Sequence, residues 1–435
     1  MHPRKLVRKP TVIDLFAGCG GLSLGLEQAG FRTLAFSELN KSAAETYRIN
    51  RADDPPLGYS DVSDMLVRGR LPSLLRRWKT EGIERVDLVA GGPPCQGYSA
   101  IGHRRSYAVE RHELPSNHLY KQMVTVIRRV QPRIFLFENV RGIMNGRWTR
   151  DGEPGQIWRD VLKAFQSIKG YHVRWALVRA ANYGVPQNRP RVLIVGFHDD
   201  IGWQPQRSVG EDADAVAAGM LPFGWKPLPS IEDALGDLEH EEIGPVLERD
   251  KRLRSELVTK KYPREPQSVF QFEMRTARHA LEYEPGAVHL TQHEYSRHSS
   301  KIIEKFKKLL DCDGELPEDS PHRTRKFAQR VLPRSWHPKI GPNITVTSLP
   351  DDFVHYSQPR ILTVREWARL QTFPDWYDFA GPRTTGGLRR AGKPTEGVYD
   401  REVPRYTQIG NAVPVRLAEA IGHHFRHRIL SKAER

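Results

Sequence analysis

Short apolar runs alternate with helical stretches through the first two hundred residues, and no other feature limits the fold of this chain so strongly. The apolar runs lie at residues 11–16, 33–36, 86–90, 134–137, 173–178 and 192–197, and helical patterns lie at 41–50, 71–79, 119–130 and 157–168. Short apolar runs bounded by glycine or polar residues are typical of buried strands. Strands and helices that alternate in this way predict an α/β fold with a doubly wound, mostly parallel sheet.

One of these runs leads directly into a turn with a cysteine, GGPPCQGYS at residues 91–99. Open α/β sheets place their ligands at the carboxyl ends of strands. Two prolines stiffen the backbone before Cys95 and small polar residues follow it, which would hold the thiol towards a substrate. Because free cysteines are usually buried, this stretch alone supports a core cysteine and a nucleophile about equally.

A glycine-rich turn, AGCGG at residues 17–21, follows the first apolar run. A strand, a glycine turn and a helix together let backbone amides approach a ligand closely. The second run ends at Glu38, where a carboxylate can hydrogen-bond ribose hydroxyls, although a helix N-cap region is the alternative. Asp61, after a short loop, could contact an adenine amino group, and Asp64 competes for that role. The turn and Glu38 together favour an adenosine-containing cofactor.

Glu138 ends the run at residues 134–137, at the same predicted edge of the sheet as Cys95. A buried carboxylate is costly unless it is paired or functional. Its position beside a thiol therefore indicates an active site, with a structural carboxylate as the alternative.

Composition restricts the protein class. Cys19, Cys95 and Cys312 are the only cysteines in 435 residues, so no disulfide framework is expected and a reducing cytoplasm fits. No run of 18 apolar residues occurs, and residues 1–10 are basic without the apolar stretch of a signal peptide. The net charge of +15 indicates a polyanionic partner, nucleic acid first and an acidic membrane surface second. The alternative is that the positive charge serves only to keep the protein soluble.

Five segments, in order, resemble the motifs of DNA cytosine-5 methyltransferases. They are DLFAGCGG at 14–21, GPPCQG at 92–97, ENV at 138–140, QNRPR at 187–191 and GNAVP at 410–414. The resemblance covers about 1–200 and 343–425. It implies a Rossmann-like S-adenosylmethionine-dependent methyltransferase domain at 1–199, a smaller target-recognition domain at 200–342, and a return to the catalytic domain at 343–435.

The resemblance also implies a mechanism. In the family, a thiolate adds to carbon-6 of cytosine, carbon-5 attacks the methyl group of S-adenosylmethionine, and loss of the carbon-5 proton expels the thiolate. Cys95 matches that nucleophile. Glu138 would hold N3 and the exocyclic amine with a raised pKa, and Arg191 together with Arg189 would contact the O2 side of the base. An Arg-x-Arg pattern entering a strand places both side chains on one face. The expected substrate contacts are Gln96, Ser99 and Gln187.

Cofactor positions carried over from the family lie in several motifs. Phe16 would pack on the adenine, Glu38 would bind the ribose, and Cys19 would be a small turn residue and not a second catalytic thiol. The full expected set is Phe16, Gly18, Gly20, Gly21, Glu38, Asp61, Pro93 and Asn411.

The target base must leave the duplex to react. The long basic loop at residues 100–118 is therefore expected to close over DNA. Near its end LPSN, at 114–117, replaces a run that the family often carries, which leaves contacts there open.

Residues 200–342 lose the strand–helix alternation and would read bases in the major groove. Residues 299–311 predict a helix with one basic face, with an ordinary solvated helix as the alternative. The spacing of His289, His293 and His298 does not suit zinc, and Cys312 is expected to be a packing residue.

The fold is expected to resume at PNITVT, residues 342–347, and LTVREWARLQTFP at 362–374 predicts an amphipathic helix stopped by proline. The glycine- and arginine-rich loop within 376–405 is either a second DNA contact or an insertion without a role. Its deletion at 386–393 should weaken DNA binding if it contacts DNA.

The resemblance favours a monomer acting on double-stranded DNA in a prokaryotic restriction-modification or phage-defence setting. Partners would be a cognate restriction endonuclease or defence-system proteins, with no membrane involved. An RNA cytosine methyltransferase of the tRNA type is one rival, disfavoured by the long middle region. A non-catalytic DNA-binding relative is another, disfavoured because Cys95, Glu138 and both arginines are present.

Overall fold

A computed structural model describes residues 8–94, 118–149, 151–210, 219, 226–243, 246, 257–312, 314, 316–318, 320–321, 329–336, 345–347, 349–384 and 402–430. Within this part of the chain, no helix has the length and apolar character needed to cross a membrane.

The fold is built on a sheet of seven strands in the order β3-β2-β1-β4-β5-β7-β6. The strands are β1 (Thr11–Leu15), β2 (Arg32–Ser37), β3 (Leu57–Tyr59), β4 (Leu88–Gly91), β5 (Ile134–Val140), β6 (Tyr171–Arg179) and β7 (Pro190–His198). Strands β1 to β5 are parallel, and β7 is antiparallel to both of its neighbours. The predicted α/β class and mostly parallel sheet are confirmed. The reversal at β7 and the short strand β3 were not predicted.

Two helices cover one face of the sheet. Helix α1 (Gly21–Gln28) packs along α12 (Val415–Leu430), and their apolar side chains join those of β1, β4 and β5 in one core. The helices approach so closely at Gly25 that a side chain would not fit there, since a Cβ would lie 2.4 Å from the carbonyl oxygen of Val415. A segment far along the chain therefore completes the first strand–helix unit.

Four helices cover the opposite face: α3 (Val62–Leu66), α4 (Arg70–Thr80), α5 (Tyr120–Val130) and α6 (Gln156–Gln166). Strands β1 and β4 are buried along their whole length, because a parallel sheet covered on both faces exposes neither side. Helix α2 (Lys41–Ile49) has Asn40 as its N-cap, and the Asn40 side chain accepts from the Ala43 amide.

Residues from the middle and the end of the chain share a third core. The helices that contribute to it are α7 (Ile231–Leu235), α8 (Val269–Arg275), α10 (Val364–Leu370) and α11 (Arg405–Asn411), whereas α9 (Ser300–Asp311) packs in two smaller clusters. Apolar residues between 231 and 415 join Cys19 and Leu24 in this core, and β8 (Arg330–Val331) pairs in parallel with β9 (Phe353–Val354). The middle region thus packs directly on the return segment, and the domain boundaries drawn at 199 and 342 stay a prediction.

Helix α10 differs from the amphipathic helix expected at 362–374. All seven of its residues are buried, and it ends at Leu370, before Pro374. It tolerates burial because Glu366 pairs with Arg360 at 2.7 Å and Arg369 lies between Asp237 and Asp375. Its charges face other protein groups, not water.

Helix α9 confirms the predicted helix at 299–311. Ile303, Phe306 and Leu309 are buried, whereas Lys301 and Lys307 are exposed. Cys312, expected to be a packing residue, is exposed. That prediction was wrong: Cys312 is the C-cap residue, beyond the last buried position of the helix, Leu309.

Candidate active site

The carboxyl ends of three parallel strands meet the start of β7 at one edge of the sheet. The register pairs Leu15 with Gly91, Gly91 with Phe137, and Val140 with Arg191. The glycine turn after β1, the proline turn after β4 and Glu138 on β5 therefore lie side by side. This is the edge at which open α/β sheets bind ligands.

Glu138 and Arg191 form a buried ion pair at this edge, with 2.6 Å between Oε1 and Nε. Because Arg191 lies opposite Val140 in the antiparallel ladder, its side chain shares a face with Glu138 two residues earlier. Burial raises the pKa of Glu138, and the charges of Arg191 and Arg189 oppose that rise. Such a carboxyl holds or shares a proton more readily than an exposed one.

The proline turn is attached to the end of β5. Asn139 Nδ2 donates to the carbonyl oxygen of Pro93 at 3.1 Å. A Cβ at Gly92 would lie 2.8 Å from Oε2 of Glu138, so only glycine lets the turn pass this close to the carboxyl. The described part of the proline turn, Gly92 to Pro94, therefore lies against the end of β5 beside Glu138. Cys95, Gln96, Ser99 and the loop to residue 117 lie outside the described residues.

Arg189 is buried and holds the return segment. Its guanidinium donates to the carbonyl oxygens of Val346, Gly410 and Ala412. The last two flank Asn411, the exposed final residue of α11. Arg189 thus joins the strand that carries Arg191 to a residue expected to bind the cofactor, and its expected contact with the base stays a prediction.

Gln187 does not reach the surface of the site. It is fully buried. Its Nε2 donates to the Leu370 carbonyl at 2.7 Å and to Gln371 Oε1 at 2.8 Å, and its Oε1 accepts from the Val346 amide at 3.0 Å. The substrate contact expected for Gln187 is corrected to a structural role, because protein groups occupy its amide on both sides.

The glycine turn after β1 has an unusual backbone. Phe16, Gly18 and Gly20 have φ of 58°, 57° and 86°, in the left-handed region that favours glycine. A Cβ at Gly18 would meet nothing within 4 Å, so the turn is open to a ligand there. In contrast, a Cβ at Gly21 would lie 2.4 Å from the Val413 carbonyl oxygen, which shows that Gly21 is needed for packing on the return segment.

Glu38 closes this turn from the end of β2. Its Oε2 accepts from the Gly18 amide at 2.8 Å and its Oε1 from the Asn40 amide at 2.7 Å. Burial raises the pKa of Glu38, and these two amides oppose the rise. The N-cap of α2 is Asn40, not Glu38. Each carboxyl oxygen retains acceptor capacity for a ribose hydroxyl, so an open turn beside an acidic group suits an adenosine-containing cofactor.

Asp61 lies at the start of α3, beyond the end of β3. Its Oδ1 accepts from the Ser63 amide at 2.7 Å, and Asp64 Oδ2 accepts from the Asp61 amide at 3.1 Å. Asp64 is thus turned back into a capping box. Of the two carboxylates, Asp61 remains the predicted adenine contact.

Cys19 is buried inside the turn, as a small turn residue would be. Its Sγ lies 3.4 Å from the Gln408 carbonyl oxygen, and burial raises the pKa of its thiol to about 12. A thiol this basic is a poor nucleophile at neutral pH.

Sequence reasoning missed Asn139, Arg51 and Tyr377, whose contacts support the two turns. Asn139 lies within the ENV motif, but the motif alone predicts no role for its side chain. Arg51 and Tyr377 carry no local signal, because they meet the turn only through the fold.

An open cleft of about 510 Å³ lies between the middle region and the return segment, lined among others by Arg297, Arg383 and Thr407. Arg383 also donates to the Glu294 carbonyl at 3.0 Å. It belongs to the glycine- and arginine-rich loop, whose residues 385–401 lie outside the described part of the chain. The hypothesis of a second DNA contact there stays open.

The chain is similar to a well-defined set of proteins. The family model for C-5 cytosine-specific DNA methylase matches residues 10–427. The type II methyltransferase M.DdeI of Desulfomicrobium norvegicum is 28% identical, over 94% of this chain and 87% of its own length. M.XorII of Xanthomonas oryzae pv. oryzae is 29% identical, over 98% and 87%. A crystal structure described as a DNA modification methyltransferase encoded within an E. coli prophage shares the fold, with a TM-score of 0.64, 22% identity, and coverage of 97% of this chain and 99% of its own.

Proposed function

Because this chain belongs to the C-5 cytosine-specific DNA methylase family, we propose that it methylates a flipped-out cytosine in double-stranded DNA through the thiol of Cys95. The thiolate adds to carbon-6, and carbon-5 then takes up the methyl group. Removal of the carbon-5 proton breaks the carbon–sulfur bond and frees the enzyme. The buried Glu138–Arg191 pair beside the Gly92–Pro93 turn is the observation that carries this proposal.

Glu138 and Arg191 hold the base in this proposal. A carboxyl with a raised pKa can donate to N3 of cytosine while accepting from the exocyclic amine, which stabilises charge that develops on the ring. Arg191 keeps Glu138 oriented through their ion pair and presents donors to O2 of the base. Asn139 holds the Pro93 carbonyl, two residues before Cys95 in the sequence.

We assign S-adenosylmethionine to the turn at residues 16–21. It supplies an electrophilic methyl group when bound. Support comes from the open space at Gly18 and from Glu38 at the end of β2. Phe16 would cover the adenine, Asp61 would accept from its amino group, and Asn411 would hold the amino-acid end.

DNA would lie across the sheet edge and the middle region. The exposed lysines of α9 and the arginines of the cleft described above suit phosphate contacts. Residues 200–342 would then read the target sequence. By likeness to type II methyltransferases, we propose a restriction-modification or phage-defence setting in the cytoplasm, a monomer, and a cognate endonuclease or defence proteins as partners.

Transfer of labelled methyl groups from S-adenosylmethionine to mixed genomic DNA tests the proposal, with bisulfite sequencing to find the modified site. Wild type should label cytosine carbon-5, and Cys95→Ser should abolish labelling. Cys312→Ser is the matched control, because that thiol is exposed at the end of α9, and this variant should label normally. Label on tRNA but not on DNA would indicate that the substrate is RNA. No label on either nucleic acid would reject the proposal.

A further inference from the structure

Two side chains distant in sequence support the cofactor turn from within the protein. The Tyr377 hydroxyl donates to the carbonyl oxygen of Cys19 at 2.5 Å. Arg51 Nη1 donates to the same hydroxyl at 3.1 Å, and Arg51 Nη2 to the Gly20 carbonyl oxygen at 3.4 Å. Both side chains are buried, so these contacts are not exchanged with water.

Arg51 is fixed by its own surroundings. Its guanidinium lies 3.9 Å from the centre of the Tyr47 ring, and its Nε pairs with Glu27 at 2.8 Å. Burial raises the pKa of Tyr377, so that hydroxyl stays protonated and remains a donor. Together these groups form a rigid support with its hydrogen bonds aimed at the turn.

The turn needs such support because its backbone is unfavourable. Phe16 adopts φ of 58°, a conformation that a residue with a side chain keeps only when its surroundings impose it. The support also leaves no room for a side chain at Gly20, where a Cβ would lie 2.7 Å from the Tyr377 hydroxyl oxygen. The turn and its support are thus fitted to each other.

We propose that Tyr377, together with Arg51, is a positioning residue that holds the turn at residues 16–20 in the conformation that binds S-adenosylmethionine. The assignment rests on the proposed function, since it names how this chain builds the cofactor site. Tyr377 touches the turn only on its buried side and so acts through the backbone.

Tyr377 also connects the turn to the middle region. Arg365 Nη2 donates to the Tyr377 carbonyl at 3.1 Å and to Thr291 Oγ1 at 2.8 Å. Thr291 Oγ1 in turn donates to Asp378 Oδ1 at 2.6 Å. The cofactor turn and the segment around Thr291 therefore share one hydrogen-bonded support.

Isothermal titration of S-adenosylmethionine into Tyr377→Phe tests the proposal without requiring turnover. The ring is kept, but the donor to Cys19 is lost and that buried carbonyl is left unsatisfied. We expect the Kd for S-adenosylmethionine to rise about tenfold. KM for S-adenosylmethionine should rise with it, while kcat and the Kd for DNA stay near wild type.

Tyr406→Phe is the matched control. Tyr406 is buried in the same core, and its hydroxyl donates to one backbone carbonyl, that of Leu362, at 2.7 Å. It does not touch the turn, so its loss should lower stability without changing the Kd for S-adenosylmethionine. If Tyr377→Phe fails to fold, Arg51→Lys replaces it, because lysine keeps a charge beside Glu27 but cannot bridge Tyr377 and Gly20.

An unchanged Kd in the folded variant, or an equal rise in Tyr406→Phe, would overturn the positioning role. Wild type that binds S-adenosylmethionine and methylates DNA would at the same time uphold the proposed function. Wild type that binds no S-adenosylmethionine would instead reject both the cofactor assignment and the positioning role.

Discussion

Asn139 Nδ2 lies 3.1 Å from the carbonyl oxygen of Pro93, and this hydrogen bond joins the strand that carries Glu138 to the turn that precedes Cys95. Two motifs that are 46 positions apart in sequence are thus set in one geometry. In the proposed mechanism, this contact would help to set the geometry between the carboxyl that holds the base and the nucleophilic thiol.

Asn139→Asp should separate this role from folding. Aspartate keeps an acceptor for the Val140 amide, which Asn139 Oδ1 now serves at 2.9 Å, but it cannot donate to Pro93. A misplaced nucleophile slows the chemical step, so we expect kcat to fall about tenfold to a hundredfold with little change in the Kd for S-adenosylmethionine. Single-turnover methylation measures the step, and an unchanged rate would show that Cys95 does not need this contact.

Stability should fall in mild acid because His293 is buried and uncharged. Burial lowers its pKa from 6.5 to about 4. Between these two pH values the imidazole is therefore protonated in the unfolded chain and neutral in the folded chain. This contribution is complete above pH 6.5 and is lost as the pH falls towards 4, at about 1.4 kcal/mol per pH unit and about 3 kcal/mol in total. His355, also buried with a lowered pKa, adds to the same slope.

Urea unfolding at a series of pH values measures this dependence. His293→Gln should reduce the slope between pH 6.5 and 4 by about one proton. His289→Gln is the control, because His289 is exposed in the same segment and should leave the slope intact. Equal slopes in wild type and His293→Gln would contradict the assignment.

Arg369→Met should strongly destabilise the attachment of the middle region. Arg369 pairs with Asp237 on one side and Asp375 on the other, and all three side chains are buried. Its removal leaves two buried carboxylates without their shared partner, which costs about 3–5 kcal/mol. Arg77→Met breaks an exposed pair with Glu81 and should cost less than about 1 kcal/mol. Chemical denaturation measures the free energy of unfolding of both variants. Similar decreases in the two would argue against a large contribution from the Arg369 pairs.

Lys301→Gln and Lys307→Gln should weaken DNA binding if α9 contacts phosphates. Each lysine that neutralises a phosphate contributes about one unit to the slope of log K against log salt. The same change at Lys79, exposed on α4 on the sheet face opposite α1 and α12, should leave the slope unchanged. Fluorescence anisotropy over a range of salt concentrations measures these slopes, and identical slopes in all three variants would remove α9 from the DNA surface.

Local patterns were sufficient for six of the seven strands and for the residues that follow β1, β4 and β5 at the edge of the sheet. The buried runs ending near Leu15, Gly91 and Phe137 are strands, and parallel strands bring their carboxyl ends together wherever they occur. Glu138 could be placed beside the proline turn on that basis alone. The direction of β7 could not, because antiparallel pairing there depends on the connection from β6 and not on the residues of the strand.

Long-range packing decided what the patterns could not. Helix α10 looked amphipathic because it carries three charged residues. Inside the protein, however, Glu366 pairs with Arg360, and Arg369 pairs with Asp237 and Asp375. The third, Arg365, donates to the backbone carbonyls of Pro374 and Tyr377. Gln187 looked like a substrate contact for the same reason, since nothing near it in sequence reveals that Leu370 and Val346 surround its amide. Burial of polar groups is set by distant partners, which a single sequence does not display.

The pairing of α1 with α12 has a consequence for synthesis on the ribosome. Strands β1, β4 and β5 leave the exit tunnel long before Leu417, Ile421 and Phe425 exist to cover their apolar face. On this face the nascent sheet therefore has α1 but not α12, and the turn at residues 16–20 lacks Tyr377 during the same interval. The chain should therefore become able to methylate DNA only late in translation. Ribosome stalling or a shortage of chaperones would then produce inactive chains and not chains with reduced activity.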